Sequence, residues 1–501
     1  MKKDGLKMKL SLLLSALTEY QTKAMKDIVS LDEVEISGIC FDSREIKKGD
    51  LFVCLAGEKH NGHDFVLQAE KLGAVGVVCD KELGCKILQI IVNDTRSALA
   101  LLSAEFYMNP SKRLTVIGVT GTNGKTTTAN MLAEILRAAG KRVGVIGTLG
   151  VVYGGKTFAT GLTTPDPVIL QKTLYEMAEA KIEYVVMEVS AHALYYKKTV
   201  GVKFAGCIFT NFTQDHLDFF KDMKKYKTAK MKLLKPEISP FAVVNADDSL
   251  ARDIFCLRQS SDLKKRTKTV FYGLKNPADC FAVLTSESLK DVNFLLNIND
   301  DLANISLKLI GIHNVYNALA AATCAKELGV STDDIERGLN SLKKVNGRLE
   351  RIGEYNGGQI FVDFAHTPDG LEKSLRALKK YCKGRLVCVF GCGGNRDKEK
   401  RPVMGAVAST WADFCYLTSD NPRDEEPSRI IADIESGIEN KYFDYFVVTD
   451  RTRAVTLALK GLKNGDVLLV AGKGGEEYQE IKGIKCPYKD EDLIKSLLEK
   501  D

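Results

Sequence analysis

The run Gly118-Val119-Thr120-Gly121-Thr122-Asn123-Gly124-Lys125-Thr126-Thr127 lies between an apolar, β-branched stretch at 114–119 and a helical stretch at 126–139. Small residues from Gly121 to Gly124 let consecutive backbone N–H groups turn inward onto phosphate oxygens, and the following helix presents the positive end of its dipole. Lys125 is placed to neutralise β/γ-phosphate charge, and the Thr126 hydroxyl to hold Mg²⁺. The general phosphate-loop pattern asks for glycine at 119, where this chain has valine, so the match is to the narrower variant T-G-T-N-G-K-T-T. A second candidate is Glu188, in the apolar run 185–189, where α/β folds place ligand-facing groups; its carboxylate is a hard oxygen donor suited to Mg²⁺. A third is Asp420-Asn421-Pro422-Arg423. Its guanidinium can clamp a carboxylate bidentately while the aspartate attracts an ammonium, and Arg396 adds a second guanidinium.

The elements that must position these groups alternate strand and helix. In the first hundred residues, 51–55 and 74–79 read as buried strands and 94–107 as a helix; Met108-Asn109-Pro110-Ser111 is a breaker cluster. Continuous apolar runs at 142–146, 184–189 and 204–210 predict parallel strands buried on both faces. The stretch 264–304 is less regular and predicts antiparallel strands. An Ala-rich helix is expected at 313–328, and Ser331-Thr332-Asp333-Asp334 supplies an N-cap for the next. A second boundary falls near Asn346-Gly347-Arg348. Beyond it, strands at 359–364, 385–390, 415–418, 445–449 and 467–471 interleave with helices, as in a doubly wound domain. The fold class is α/β in three domains, at 1–108, 109–346 and 347–501.

The charge balance narrows the class of function. The 71 basic and 65 acidic side chains leave a net +6, too mild and too mixed to favour nucleic acid or an anionic membrane, though suited to phosphorylated and carboxylated ligands. The 13 cysteines form no CxxC pair and read as buried thiols in a reducing compartment. Lys2, Lys3, Lys7 and Lys9 precede an apolar run at 10–17, but Thr18-Glu19-Tyr20 offers no cleavage site. An amphipathic first helix is expected there rather than a signal peptide. No run reaches the length of a membrane span. A cytoplasmic monomer without membrane insertion is expected.

With the phosphate loop, an ordered set of short motifs resembles the Mur ligases. These are Asp42-Ser43-Arg44, Thr163-Thr164-Pro165-Asp166, Met187-Glu188-Val189-Ser190-Ala191-His192, Asn211-Phe212-Thr213-Gln214-Asp215-His216-Leu217-Asp218 and Ala229-Lys230. Gly311-Ile312-His313-Asn314, Gly347-Arg348-Leu349-Glu350, Asp363-Phe364-Ala365-His366-Thr367-Pro368-Asp369, Gly393-Gly394-Asn395-Arg396-Asp397, Asp420-Asn421-Pro422-Arg423 and Gly472-Lys473-Gly474 follow. Within the family the likeness is to the ligases that extend UDP-N-acetylmuramoyl-L-alanyl-D-glutamate. The resemblance implies a small α/β N-terminal domain that recognises the UDP precursor, a central phosphate-loop ATPase domain with a mostly parallel sheet, and a Rossmann-like C-terminal domain that brings the amino acid. It implies ATP and Mg²⁺ as cofactors, and an acyl phosphate as the species the amine attacks.

Residue by residue, the resemblance places ATP at Gly121, Thr122, Asn123, Gly124, Lys125, Thr126, Thr127, Asn314, Arg348 and Asp363. Lys125, Glu188, His216 and Lys230 would be catalytic, with Thr126, Glu188, His216 and a carbamylated Lys230 around the metal. On their own, His216 and Lys230 read as surface residues. Ser43, Thr163, Thr164, Ser190 and Lys198 would hold the UDP precursor; Arg396, Asp420, Asn421, Arg423, Gly472 and Glu476 would hold the amino acid. Arg423 points to meso-2,6-diaminopimelate, because a lysine-specific relative has no distal carboxylate to clamp. The chain departs from the family pattern at Tyr196 and Lys198, Phe220, Asn395 and Gly475. Those departures keep open a related ligase that adds another amino acid, such as L-lysine, or uses another carboxylate. A nucleotide-binding scaffold without catalysis is a further alternative, against which Lys125, Thr126, Glu188, His216 and Lys230 all stand intact.

Overall fold

The computed structural model describes residues 6–23, 30–57, 60–259 and 267–499. Lys2, Lys3 and residues 264–266 of the expected antiparallel stretch lie outside them. The chain divides into two compact units, residues 1–118 with 142–205 and residues 119–141 with 206–501.

The first unit holds a sheet in the order Gln21–Lys23, Leu88–Ile91, Gly76–Cys79, Asp50–Val53, Gly38–Cys40, parallel except at the first pairing. The apolar run at 10–17 forms only a five-residue helix, Leu10–Leu14. Leu10, Leu13 and Leu14 are fully buried against Leu51, Val53, Leu99 and Leu102, while Leu12 faces out. The helix Thr95–Phe106 starts where Asp94 accepts from the backbone of Arg96 and Ser97, as an N-cap should. The same unit carries Tyr184–Glu188 paired in parallel with Val143–Gly147, which continues antiparallel into Gly150–Tyr153 and Lys156–Phe158.

In the second unit Gly206–Phe209, Phe241–Asn245 and Lys268–Gly273 pair in parallel. Antiparallel pairing begins only at Cys280–Glu287 with Val292–Ile298 and Asp301–Leu307, so the strand at 268–273 differs from the antiparallel expectation. The helix Ile312–Glu327 buries Ala318, Ala320, Ala321, Ala322 and Ala325; side chains this small let a helix approach its neighbours closely.

The C-terminal sheet runs Glu350–Tyr355, Gly358–Asp363, Val467–Ala471, Leu386–Phe390, Phe414–Leu417, Tyr445–Val447, parallel except at the first pairing. Its central strands feed two cores by alternation. Val467, Leu469 and Cys388 pack with Leu371, Leu375, Met404 and Ile431 on one face. Leu468, Val470 and Val389 pack with Val455, Leu459 and Ile494 on the other. Period-two alternation between two apolar layers defines a doubly wound sheet. Asp363, residues 391–397, residues 418–423 and Gly472 all stand at carboxyl ends of parallel strands, where such sheets bind ligands.

Candidate active site

The phosphate loop is closed by backbone geometry. Gly121 has φ +146° and Gly124 φ +84°; a Cβ would meet Thr210 Oγ1 at 1.9 Å and Asn317 Oδ1 at 2.4 Å respectively. Val119, where the general pattern has glycine, is a fully buried strand residue, so the loop begins one residue later. Lys125 Nζ donates to the carbonyls of Gly121 (3.0 Å) and Thr122 (2.8 Å). Thr122 Oγ1 donates to Thr213 O at 3.1 Å, and the Asn123 amide nitrogen donates to Asp369 at 2.7 Å. Arg348 Nη2 donates to Thr126 Oγ1 at 2.9 Å, and its guanidinium stacks on Phe364. Thr127 is buried in the helix Lys125–Ala138.

Lys230 is the unexpected neighbour. Only 1% exposed, it donates to the same Gly121 carbonyl at 2.7 Å and lies over the Tyr226 ring. Burial, helped by the positive charge of Lys125, drives its pKa well below the usual lysine value. His216 adopts the left-handed conformation (φ +57°), and its Nε2 lies 3.3 Å from Asp215 Oδ2. Burial pushes Asp215 upward, but His216 and Lys400 more than offset this and hold it below the usual carboxylate range. His366 is driven down to about 4 by burial and by Lys400, so its ring is neutral at pH 7.

Asn314 and Asp363 face inward. Asn314 donates to Ile310 O (2.8 Å) and accepts from Asn317 (3.0 Å). Asp363 accepts from the backbone of Leu349 and Ala365 and from Ser374, and burial raises its pKa despite Arg348. Both brace the loops that carry the expected nucleotide contacts.

Two loops of the C-terminal sheet are fastened side by side. Arg423 Nη1 donates to Gly394 O at 2.8 Å. A Cβ on Gly393 would lie 3.0 Å from that nitrogen and 3.6 Å from Arg396 Cγ, so both guanidinium-bearing chains flank Gly393. Arg396 itself is exposed. Asn421 and Lys473 both donate to Glu476 Oε2, at 2.9 and 3.0 Å. Asp420 is buried, its Oδ2 lacks a hydrogen-bond partner among the described residues, and a Cβ on Gly472 (φ +112°) would come within 2.5 Å of it. Arg401, fully buried, donates to Glu425 (3.0 and 2.9 Å) and Asp433 (2.8 Å). Asn395 meets Asp424 through both ends of its amide, which an aspartate could not do.

In the first unit, Glu188 ends its strand 1% exposed. It accepts from Thr148 N (2.9 Å) and Thr148 Oγ1 (3.1 Å), beside Gly147, whose Cβ would lie 2.1 Å from Oε1. Thr148 Oγ1 pairs with Thr163 Oγ1 at 3.1 Å, and Thr164 Oγ1 donates to Glu188 O at 3.0 Å and accepts from Ser190 N at 3.0 Å. Ser190 also caps the helix Ala191–Tyr195. Lys198 pairs with Asp166 at 2.7 Å, and Tyr196 receives the Arg96 guanidinium on its ring at 4.4 Å. Thr163, Thr164, Ser190 and Glu188 therefore form one cluster. Ser43 lies apart, buried in the Asp42–Arg44 turn, with no hydrogen bond to that cluster among the described residues.

Sequence reading missed Thr148, Asp215 and Lys400 as site residues. Asp215 could have been suspected beside His216; Lys400 was hidden in a charged run that looks solvated. Among the described residues, no three His, Cys, Asp or Glu side chains form a metal cluster, and no helix is long and apolar enough to cross a membrane.

Comparison with known proteins fits this geometry. Three family models match in succession: the Mur ligase family catalytic domain over residues 35–107, the Mur ligase middle domain over 119–325, and the Mur ligase glutamate ligase domain over 347–474. The UDP-N-acetylmuramoyl-L-alanyl-D-glutamate--2,6-diaminopimelate ligase of Syntrophomonas wolfei is 41% identical over 470 residues, covering 93% of this chain and 95% of the relative. The ligase of the same name from Clostridium botulinum is 39% identical over 501 residues, covering 98% and 99%. A solved structure of a ligase with that name has TM-score 0.68 at 30% identity, covering 95% of this chain and 97% of its own. The MurF ligase of Thermotoga maritima in complex with ADP shares the fold at TM-score 0.61 and 23% identity, over 87% of this chain and 94% of that one. By these matches, the chain belongs to the Mur ligase family.

Proposed function

We propose that this chain is an ATP-dependent, cytoplasmic ligase that joins meso-2,6-diaminopimelate to UDP-N-acetylmuramoyl-L-Ala-D-Glu in peptidoglycan precursor synthesis. The observation that carries it is the convergence of Lys125, Lys230 and Arg348 on the loop 121–126. The relatives named above are ligases for this acceptor and amino acid.

A carboxylate does not acylate an amine at neutral pH until one of its oxygens becomes a leaving group. The acceptor carboxylate attacks the γ-phosphorus of ATP, the bond to the ADP oxygen breaks, and an acyl phosphate forms. The amine then attacks the carbonyl carbon, phosphate departs with the C–O electron pair, and the amine loses a proton to give the amide. The residues at the loop neutralise the phosphoryl oxygens in this sequence, the largest contribution a fixed polar site makes. Lys125 would leave the Gly121 and Thr122 carbonyls for the phosphates, and Arg348 is already beside the loop.

The donor chemistry fits a divalent metal. Thr126 and His216 are candidate ligands, and Lys230 becomes an anionic oxygen donor once carbamylated; its buried, pKa-depressed amine is the form that reacts with CO₂. In the first unit, Glu188, held by Thr148, is by its chemistry an anionic donor as well. Mg²⁺ would supply charge neutralisation for the phosphates.

Ser43, Thr163, Thr164, Ser190 and Lys198 are assigned to the UDP precursor, in the functional modules 1–108 and 109–346. Arg396, Asp420, Asn421, Arg423, Gly472 and Glu476 are assigned to the amino acid, in 347–501. The test is phosphate release from ATP with the UDP-dipeptide and a panel of diaminopimelate, lysine and ornithine. Preference for meso-diaminopimelate is expected; no release with any of the three sinks the proposal.

A further inference from the structure

We infer that Glu480 is a specificity-determining residue that takes the distal ammonium of the added amino acid while Arg423 takes the distal carboxylate, an inference that rests on the function proposed above. The hairpin of Tyr478–Ile481 with Ile484–Pro487 is laid against Arg423 by its backbone. Arg423 N donates to Glu480 O at 3.0 Å, and Lys482 N donates to Arg423 O at 2.8 Å, making a short parallel bridge between Arg423 and Ile481. Glu480 N donates to Asn421 Oδ1 at 2.9 Å. Main-chain bonds thus fix where the Glu480 side chain starts, and its Oε2 accepts from Arg423 Nε at 3.0 Å.

With Nε given to Glu480 and Nη1 to Gly394 O, Arg423 keeps Nη2 without a hydrogen-bond partner among the described residues. A fork already half filled by a protein carboxylate is a poor site for a ligand carrying only a negative end, since two carboxylates would meet across one guanidinium. It is a poor site for a purely cationic end as well, because Arg423 stands beside the anion. A distal carbon bearing both ammonium and carboxylate satisfies the pair: its carboxylate meets Nη2 and its ammonium meets Glu480. The other acids of the cluster are less available. Glu476 is bonded to Lys473 and Asn421, and Asp420 is 7% exposed, whereas the side chains of Arg423 and Glu480 are 20% and 25% exposed.

The test compares meso-diaminopimelate with 2-aminopimelate, the same chain without the distal ammonium, in the unaltered enzyme and in Glu480→Gln. Glutamine keeps an acceptor for Arg423 but loses the charge. The expected result is a rise in KM for meso-diaminopimelate of about tenfold or more, with kcat within about twofold, and 2-aminopimelate nearly unaffected. An equal rise with both substrates means that Glu480 only holds Arg423, and no rise with either means that it touches neither; each overturns the inference. Should the variant not fold, the unaltered enzyme decides: KM for 2-aminopimelate should exceed that for meso-diaminopimelate by about tenfold, and equal values overturn the assignment. Silence of the unaltered enzyme with meso-diaminopimelate removes the proposed function too, whereas turnover with an unsplit response removes this inference alone.

Discussion

Replacing Arg401 by methionine tests whether the amino-acid loops are held by a buried ion pair rather than by the sheet alone. Arg401 is fully buried and bridges Glu425 and Asp433, while Glu425 also accepts from the Asn395 backbone. The guanidinium hydrogen bonds are the main cause of Glu425's pKa falling from 4.5 to about 2. At about 1.4 kcal/mol per unit this corresponds to roughly 3 kcal/mol, discounted to about 2 because the carboxylates are partly exposed. Methionine fills the volume but leaves Glu425 without its main cation, so the variant should lose about 2 kcal/mol at pH 7. The sign with pH is fixed: a depressed carboxylate stabilises the fold above its unfolded pKa and loses that contribution as pH falls through its folded one. The difference between wild type and variant should therefore be constant above pH 5.5 and shrink between about 4.5 and 2. Thermal unfolding of both proteins across that range measures it, with KM for the amino acid as the functional readout, expected to rise severalfold while KM for ATP stays put. An unchanged KM, or a stability gap that does not narrow in acid, would refute the reasoning.

Two other outcomes follow from the phosphate loop and one from the loop that carries Arg423. Lys230→Met should lower kcat by about 10²-fold or more without loss of stability at pH 7. A lysine held below its unfolded pKa costs stability until both states are neutral, so wild type should gain on the variant as pH rises toward 10.5; denaturant titrations at several pH values check this. Gly124→Ala forces a Cβ at φ +84° to within 2.4 Å of Asn317 Oδ1. It should cost about 1–2 kcal/mol in backbone strain alone and raise KM for ATP, measured by coupled ADP release. Arg423→Ala should weaken meso-diaminopimelate by about 10–100-fold in KM and leave ATP alone; undiminished diaminopimelate use would rule out the carboxylate clamp.

How far the sequence could be read depended on whether a feature was local. The strand at 467–471 was legible because Val467-Leu468-Leu469-Val470 is apolar on both faces, and both faces are buried, in different cores. The phosphate loop was legible because glycine is required where φ is positive. The first helix was legible in the apolar run at 10–17, but its short extent, Leu10–Leu14, was not, because apolarity shows that residues are buried, not how far a helix runs. Parallel pairing at 268–273 could not be seen, since strand partners are chosen across long stretches of chain. Lys400 and Thr148 were missed for a related reason: a lysine in a charged run and a threonine after a glycine gain their roles only from what folds onto them. Glu480 resembles any charge on a hairpin until its carboxylate is found on Arg423.

The arrangement at Gly121 shows why burial and chemistry are joined here. Lys125 and Lys230 both donate to one carbonyl, and two ammonium groups so close repel each other unless one sheds its proton. Burial selects Lys230 as that one. A neutral amine can add CO₂, and the carbamate that results carries a negative charge beside Lys125. Repulsion between two cations then becomes attraction within an ion pair. If Lys230 is carbamylated for this reason, bicarbonate should raise the activity of CO₂-depleted wild type and not that of Lys230→Met; equal responses would show that its depressed pKa serves only the packing of the loop.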